Sequence, residues 1–214
     1  MGNPELSKYR KEYNAGFLDE KNLTETPDIL FEQWLNHALQ SEVDEPLAMN
    51  LATSTPNGKP SSRIVLLREF SGEGLVFYTN YESQKGKELL RNPYAAANFF
   101  WPSLERQIRI EGKIIKAKTE DSDQYFKNRP TESQISAIIS EQSKQIPSRS
   151  FLEKQFQELK ISFSKKEIKR PENWGGYILI PTLFEFWQGR AHRLNDRILY
   201  TLENEKWGKC RLAP

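Results

Sequence analysis

The spacing of hydrophobic residues changes several times along this chain. Over residues 27–41 (PDILFEQWLNHALQS), Ile29, Leu30, Trp34, Leu35, Ala38 and Leu39 recur near helical spacing. That spacing predicts an amphipathic helix. His37 falls on it and reads as a surface or helix-packing residue. From residue 46 the period drops to two, with Leu47, Met49, Leu51 and Thr53 alternating as in a half-buried strand. PNGK at 56–59 marks a turn, and SSRIVLLREF predicts the next strand. SGEG at 71–74 turns into a third strand, LVFYTN. A short helix is predicted at 83–91, stopped by Asn92-Pro93. Strands follow at 94–101 and 106–117.

The middle of the chain is helical. Thr119 is placed to cap a helix at 120–128, with Glu120, Asp121 and Asp123 where the helix dipole favours acids. Thr131 and Gln134 have the spacing of a capping box for a helix at 132–141. A third helix at 149–164 puts Phe151, Leu152, Phe156, Leu159 and Phe163 on one side. Strand patterns return at 174–181, 183–189, 197–203 and 206–212, the last two joined by ENEK. Closely spaced strands with short turns predict an antiparallel barrel or sandwich. The β-rich, helical, β-rich order suggests one barrel built from both ends of the chain. Residues 1–25 are polar and show no period, so they are expected to form a flexible arm ahead of a single domain at 26–214.

Composition narrows the chemistry. The chain has 214 residues, 37% hydrophobic and 28% charged, with a net charge of +2 from 31 basic and 29 acidic side chains. That balance argues against bulk nucleic-acid binding. One cysteine, Cys210, cannot form an internal disulfide, which fits a reducing, cytoplasmic setting. No signal-peptide core or membrane-length apolar run is present, so no membrane association is expected. Two histidines and one cysteine cannot supply the usual zinc cages, and no metal is expected. HExxH, the Walker loop, GxGxxG and the G-x-S-x-G elbow are all missing. An enzyme with this inventory would rely on a cofactor for the difficult step.

Several patches suit a planar, phosphorylated ligand. In SSRIVLLREF, Arg63 and Arg68 fall on opposite faces of a strand, either as rim residues or as phosphate ligands. FYTNYESQKGKELL runs from a strand end into a helix start, with Thr79, Ser83, Lys85 and Lys87 near free backbone N–H groups. Gln107 lies inside a strand, facing either solvent or a ligand ring. Tyr125, Arg129 and Ser133 recur at spacing four, either as a helix surface with a cap or as a set for a phosphate ester. FWQGRAHRLNDR at 186–197 concentrates arginine beside aromatics, which suits bidentate anion recognition and ring stacking. Within it, Arg190 and His192 read as exposed turn residues.

Taken in order, SRIVLLRE, FYTN, LERQ, YFKNRPTESQI, EQS, WGG, FWQGRAHRLNDR and RLAP resemble the pyridoxamine 5′-phosphate oxidase family from about residue 10 to residue 214. The resemblance implies an FMN-binding split antiparallel β-barrel, mainly β with packed helices, working as a homodimer with FMN at the subunit interface. It implies oxidation of pyridoxine or pyridoxamine 5′-phosphate to pyridoxal 5′-phosphate by oxygen, with release of hydrogen peroxide. For the flavin it implies Arg63, Ile64, Val65, Leu66, Leu67, Arg68, Tyr78, Thr79, Lys85 and Gln107. Gln142, Ser143, Trp187 and Arg197 complete that site, some from the other subunit. For the substrate it implies Tyr125, Arg129 and Ser133 at the phosphate, Arg68 and Asn195 nearby, and Arg193 over the ring as the catalytic residue. Arg10 and Tyr13 of the arm would close over the pocket. Three positions depart from the family pattern: Arg68 replaces a Lys, Gln84 an Arg, and Asn195 a His. The alternatives are a split-barrel flavin reductase for another substrate, marked by nicotinamide oxidation, or a pyridoxal phosphate carrier without flavin.

Overall fold

The computed structural model describes Lys8, residues 11–163 and residues 167–214. Among these residues, nine strands form one antiparallel-paired sheet, accompanied by five α-helices, in agreement with the expected mainly β class. The strands are β1 (Ala48–Ser54), β2 (Pro60–Leu66), β3 (Glu69–Ser71), β4 (Gly74–Asn80), β5 (Tyr94–Trp101), β6 (Arg106–Lys116), β7 (Trp174–Gln188), β8 (Asp196–Glu203) and β9 (Lys206–Leu212). The helices are α1 (Pro27–Gln40), α2 (Gln84–Arg91), α3 (Thr119–Lys127), α4 (Thr131–Ile139) and α5 (Arg149–Ser162). The strand path runs β2-β1-β5-β6-β7-β4-β3, with β8 on β7 and β9 on β8.

Two strand boundaries differ from the sequence-based expectation. The run 61–70 is two strands, because β2 pairs with β1 while β3 pairs with β4 at the other end of the path. The sheet therefore curls back on itself, and the chain changes partner at Leu67 and Arg68. Alternation shows which face a residue takes, but not which strand lies beside it. Conversely, 174–181 and 183–189 are one strand. On one edge β4 is in register with Trp174–Leu179 and β8 with Leu183–Gln188. Pro181 falls between these two partners, where its missing N–H costs neither ladder a bond.

The chain packs as two compact units. The first comprises residues 1–49, 97–111 and 182–214. Within it α1 begins with Pro27 in its first turn and buries Leu30, Phe31, Trp34, Leu35 and Ala38. Phe31 meets Phe99 and Phe184, and Trp34 meets Phe186 edge-on at 5.3 Å. Ile29 and Leu39, which share the stripe by spacing, are exposed. Asn204 and Glu205, both left-handed, make the tight β8–β9 turn.

The second unit comprises residues 50–96 and 112–181. Ser83 caps α2 by accepting from the Gly86 N–H. Gly86 cannot carry a side chain, since a Cβ there would lie 2.1 Å from the Tyr81 carbonyl oxygen. Phe126, Ile135, Ala137, Ile168 and Trp174 form a buried cluster, against which Phe156, Leu159 and Phe163 of the α5 region pack. Phe151, which shares that helical stripe by spacing, is exposed. The two predicted threonine caps do not form. Thr119 is already inside the first turn of α3, and α4 starts after Pro130 with no side-chain cap. Gln134 instead donates to the Lys127 and Arg129 carbonyls, fastening the α3–α4 turn.

Candidate functional site

The second unit holds a cavity of about 240 Å³. Its walls are Ile64, Val65 and Leu66 of β2, Arg68, Tyr78 and Thr79 of β4, and Lys85 of α2. Tyr125, Arg129, Gln142 and Trp174 complete it. Residues expected at the flavin and residues expected at the substrate thus meet in one place, although they come from segments far apart in the chain.

One wall is cationic. Lys85 is buried, and its Nζ donates to Thr79 Oγ1 at 3.1 Å and to Gln142 Oε1 at 2.7 Å. Both partners are neutral. Burial, with the Arg63 charge second, pulls the Lys85 ammonium down to about 8. Thr79 also donates to Gln142 Oε1, and Ser143, left-handed at φ 73°, accepts from the Gln84 backbone N–H. Other lining residues are aromatic. Tyr78 stacks on Tyr125 with centroids 3.7 Å apart and planes within 3°. Trp174 continues the stack, and the Arg129 guanidinium lies 4.6 Å from its ring. Burial pushes the Tyr78 phenol up to about 12.

Arg129 is the most telling group. Its Nη1 is buried and has no hydrogen-bond partner, alone in this among the buried side-chain polar atoms of the described residues. Burial, with the nearby Arg68 charge, lowers its guanidinium from the ordinary value, while Tyr125 opposes the shift. A buried donor without a partner is costly, and a buried cation more so. The donor set Arg68, Arg129 and Lys85 therefore fits an anionic ligand. The stacked rings beside it fit a flat one.

Arg63 sits differently. It donates to the Leu51 carbonyl, to Thr53 and to Ser61, and pairs with Glu88 at 3.5 Å. Its charge already has a counterion. Burial tends to raise the Glu88 carboxyl, but hydrogen bonds from Ser61, Thr53 and Gln84, with the Arg63 charge, outweigh it and hold the group at about 2. Gln84, where the family resemblance leads one to expect Arg, donates to Glu88 Oε1 at 3.0 Å. Because this pKa is depressed, the Glu88 contribution to stability is full above about 4.5 and is lost as pH falls toward about 2. A Glu88→Gln variant should melt lower than wild type at pH 7, and its melting temperature should fall less between pH 5 and pH 3. Parallel curves would contradict the assignment. Glu88 carried no separate signal in the sequence.

Leu67 is in the core, Ile64 is largely exposed, and Ser133 is half-buried in the first turn of α4. Arg10 lies outside the described residues. Gln107, Tyr13, Trp187, Arg193, Asn195 and Arg197 belong to the first unit. Gln107 is half-buried on β6. Tyr13 meets Trp187 edge-on at 5.6 Å. Arg197 donates to Glu185 at 2.7 Å and to the Ala213 carbonyl, so its charge is balanced. Arg109 binds the same buried Glu185. Arg193 is exposed in a short 3-10 turn, and both it and His192 are left-handed. Asn195 Oδ1 accepts from the Arg190 N–H, closing that loop, and Arg190 pairs with Asp196. Arg190 therefore has a role in the loop that its sequence context did not reveal. No group of metal-ligating side chains occurs among the described residues, and no helix among them is long and apolar enough to cross a membrane.

Comparison with known proteins adds an independent line. A family model described as pyridoxamine 5′-phosphate oxidase matches residues 35–163. A second, described as the pyridoxine 5′-phosphate oxidase C-terminal dimerisation region, matches residues 174–214. A pyridoxine/pyridoxamine 5′-phosphate oxidase of Leptospira interrogans is 48% identical over 212 residues, covering 99% of each chain. One from Cytophaga hutchinsonii is 49% identical over 211 residues, covering 98% of each. Among solved structures, PhzG from Burkholderia lata 383, in complex with tetrahydrophenazine-1-carboxylic acid, superposes with a TM-score of 0.89 at 28% identity. That match covers 95% of this chain and all of the other, and it bears out the split-barrel expectation.

Proposed function

Because the chain belongs to the pyridoxamine 5′-phosphate oxidase family, we propose that it oxidises pyridoxine and pyridoxamine 5′-phosphates to pyridoxal 5′-phosphate with FMN as cofactor. Oxygen is the acceptor and hydrogen peroxide the by-product; the amine substrate also takes up water and releases ammonia. The observation that carries this reading is the buried, partnerless Nη1 of Arg129, in a cavity shared with Lys85 and a tyrosine stack. When bound, FMN would supply the hydride acceptor for the substrate carbon that bears the alcohol or amine.

The chain's own residues bind and orient. Lys85, with Thr79, Gln142 and Ser143, would hold the flavin phosphate. Arg63, tied to Glu88, supports that wall at its back, and Ile64, Val65, Leu66 and Arg68 would flank the ring. Arg129, Tyr125 and Ser133 would hold the substrate phosphate. Arg193 would orient the reacting carbon. Gln107, Trp187 and Arg197 would complete the flavin site in a homodimer, some of them supplied by the second subunit. Arg10 and Tyr13 of the arm would close over the substrate, with Asn195 nearby.

The deciding experiment is aerobic formation of pyridoxal 5′-phosphate from pyridoxamine 5′-phosphate with added FMN. Flavin-dependent product supports the oxidase. Bound FMN without product points to another flavin substrate, and neither FMN nor product points to a carrier. A pH titration tests the cofactor wall. A phosphate dianion prefers protonated Lys85, so FMN affinity should fall as pH rises above about 8, the free-protein value. Lys85→Met should bind FMN about tenfold to a hundredfold more weakly and lose that pH dependence. Flavin fluorescence quenching across pH 6.5–9.5 reads both effects, and an unchanged pH slope in the variant would remove Lys85 from the phosphate site.

A further inference from the structure

We propose that Glu105 is a positioning residue, whose buried carboxylate clasps the N-terminal arm to the end of β7 and so seats Tyr13 on Trp187. The role given to Tyr13 rests on the proposed function; the clasp itself stands on geometry. Glu105 precedes β6, is 4% exposed, and is held left-handed at φ 54°. A non-glycine residue stays in that conformation only where its surroundings over-determine it.

Its surroundings do so from two directions. One carboxylate oxygen accepts the Asn14 N–H at 2.7 Å and the Ala15 N–H at 2.8 Å, while the other lies 3.4 Å from Lys11 Nζ. The Glu105 carbonyl accepts the Gly189 N–H at 2.8 Å and Gln188 Nε2 at 3.2 Å. The side chain thus holds the arm just after Tyr13, and the backbone holds the strand end just after Trp187. Tyr13 is caught between them. A Cβ on Gly189 would come within 2.7 Å of the Tyr13 ring, so the glycine makes the seat. Further along, Glu12 accepts the His192 N–H and Asp196 accepts the Leu18 N–H. The same arm therefore also touches the loop that carries Arg193. Burial alone would raise the Glu105 carboxyl, yet the Ala15 and Asn14 N–H groups and Lys11 hold it below the usual range. It is thus charged when it grips the arm. Charged acceptors make the stronger hydrogen bonds.

The test uses the full-length, FMN-loaded protein in three variants, Glu105→Ala, Glu105→Gln and Gly189→Ala. Tryptic cleavage at Lys8, Arg10 and Lys11 reads the arm directly. Loss of two charge-assisted bonds should speed cleavage in Glu105→Ala by about tenfold or more. KM for pyridoxine 5′-phosphate should rise by a similar factor, with kcat and flavin content within about twofold of wild type. Glu105→Gln, which keeps an acceptor oxygen, should fall between the two. Gly189→Ala should reproduce the KM effect with Glu105 intact, which keeps the idea testable if Glu105→Ala fails to fold. Wild-type cleavage rates in Glu105→Ala, or a joint loss of flavin and melting temperature without a KM–kcat split, would overturn the clasp. If the wild type itself forms no pyridoxal 5′-phosphate, the proposed function fails, while the cleavage rates still decide the clasp.

Discussion

Replacing Arg129 with alanine should raise KM for pyridoxamine 5′-phosphate by about a hundredfold or more, with FMN still bound. A hydrogen bond to a charged group contributes about 1.5–3 kcal/mol, and about 1.4 kcal/mol is a tenfold change. A guanidinium facing a phosphate can make two such bonds. Arg129 is also pre-organised to receive an anion. Its Nη1 is already out of water and bonded to nothing, so little further desolvation remains when a phosphate arrives. The guanidinium is steadied by the Trp174 ring, and Gln134 fastens the turn that carries it. Arg129→Lys keeps the charge but loses the planar fork, and should recover only part of the affinity. Steady-state kinetics with a separate measurement of flavin content would decide. An unchanged KM in Arg129→Ala would move the substrate phosphate elsewhere.

Arg193→Ala should act on turnover instead, losing about a hundredfold or more in kcat through orientation of the reacting carbon. FMN binding should remain, because none of the groups around Lys85 is touched. Arg193 forms no ion pair with another described residue and lies exposed in a left-handed turn. Its loop is closed by the Asn195–Arg190 hydrogen bond and tethered by Arg190–Asp196. Folding energy is thus not expected to depend on its guanidinium. Equal melting temperatures with collapsed turnover would support the assignment. Full activity in the variant would refute it.

Asn195 shows how a departure from a family pattern changes meaning once the fold is seen. By resemblance it stands near the substrate in place of a histidine. In the structure its amide oxygen is spent on the Arg190 backbone. Gln84 shows the same thing: in place of an expected arginine, its side chain donates to Glu88. Both substitutions have local partners that residue identity alone does not disclose.

Much of the architecture was legible in the residues themselves. The switch from helical to two-residue period located α1 and the strands, and Asn-Pro and Gly-containing turns bounded them. The order of SRIVLLRE, YFKNRPTESQI and FWQGRAHRLNDR carried the family. These signals are local or sequential, so a linear reading can recover them. What only the tertiary structure decided is which charges are matched. Arg63 is matched by Glu88 and Arg197 by Glu185, while Lys85 is buried among neutral partners and the buried Nη1 of Arg129 has none. It also decided that 61–70 changes partner, that 174–188 is one strand, and that Glu105 holds the arm. The physical reason is the same in each case. Periodicity reports which face a residue takes within a few positions of chain, whereas ion pairing, desolvation and strand partnership depend on distances in space between residues a dozen or more positions apart.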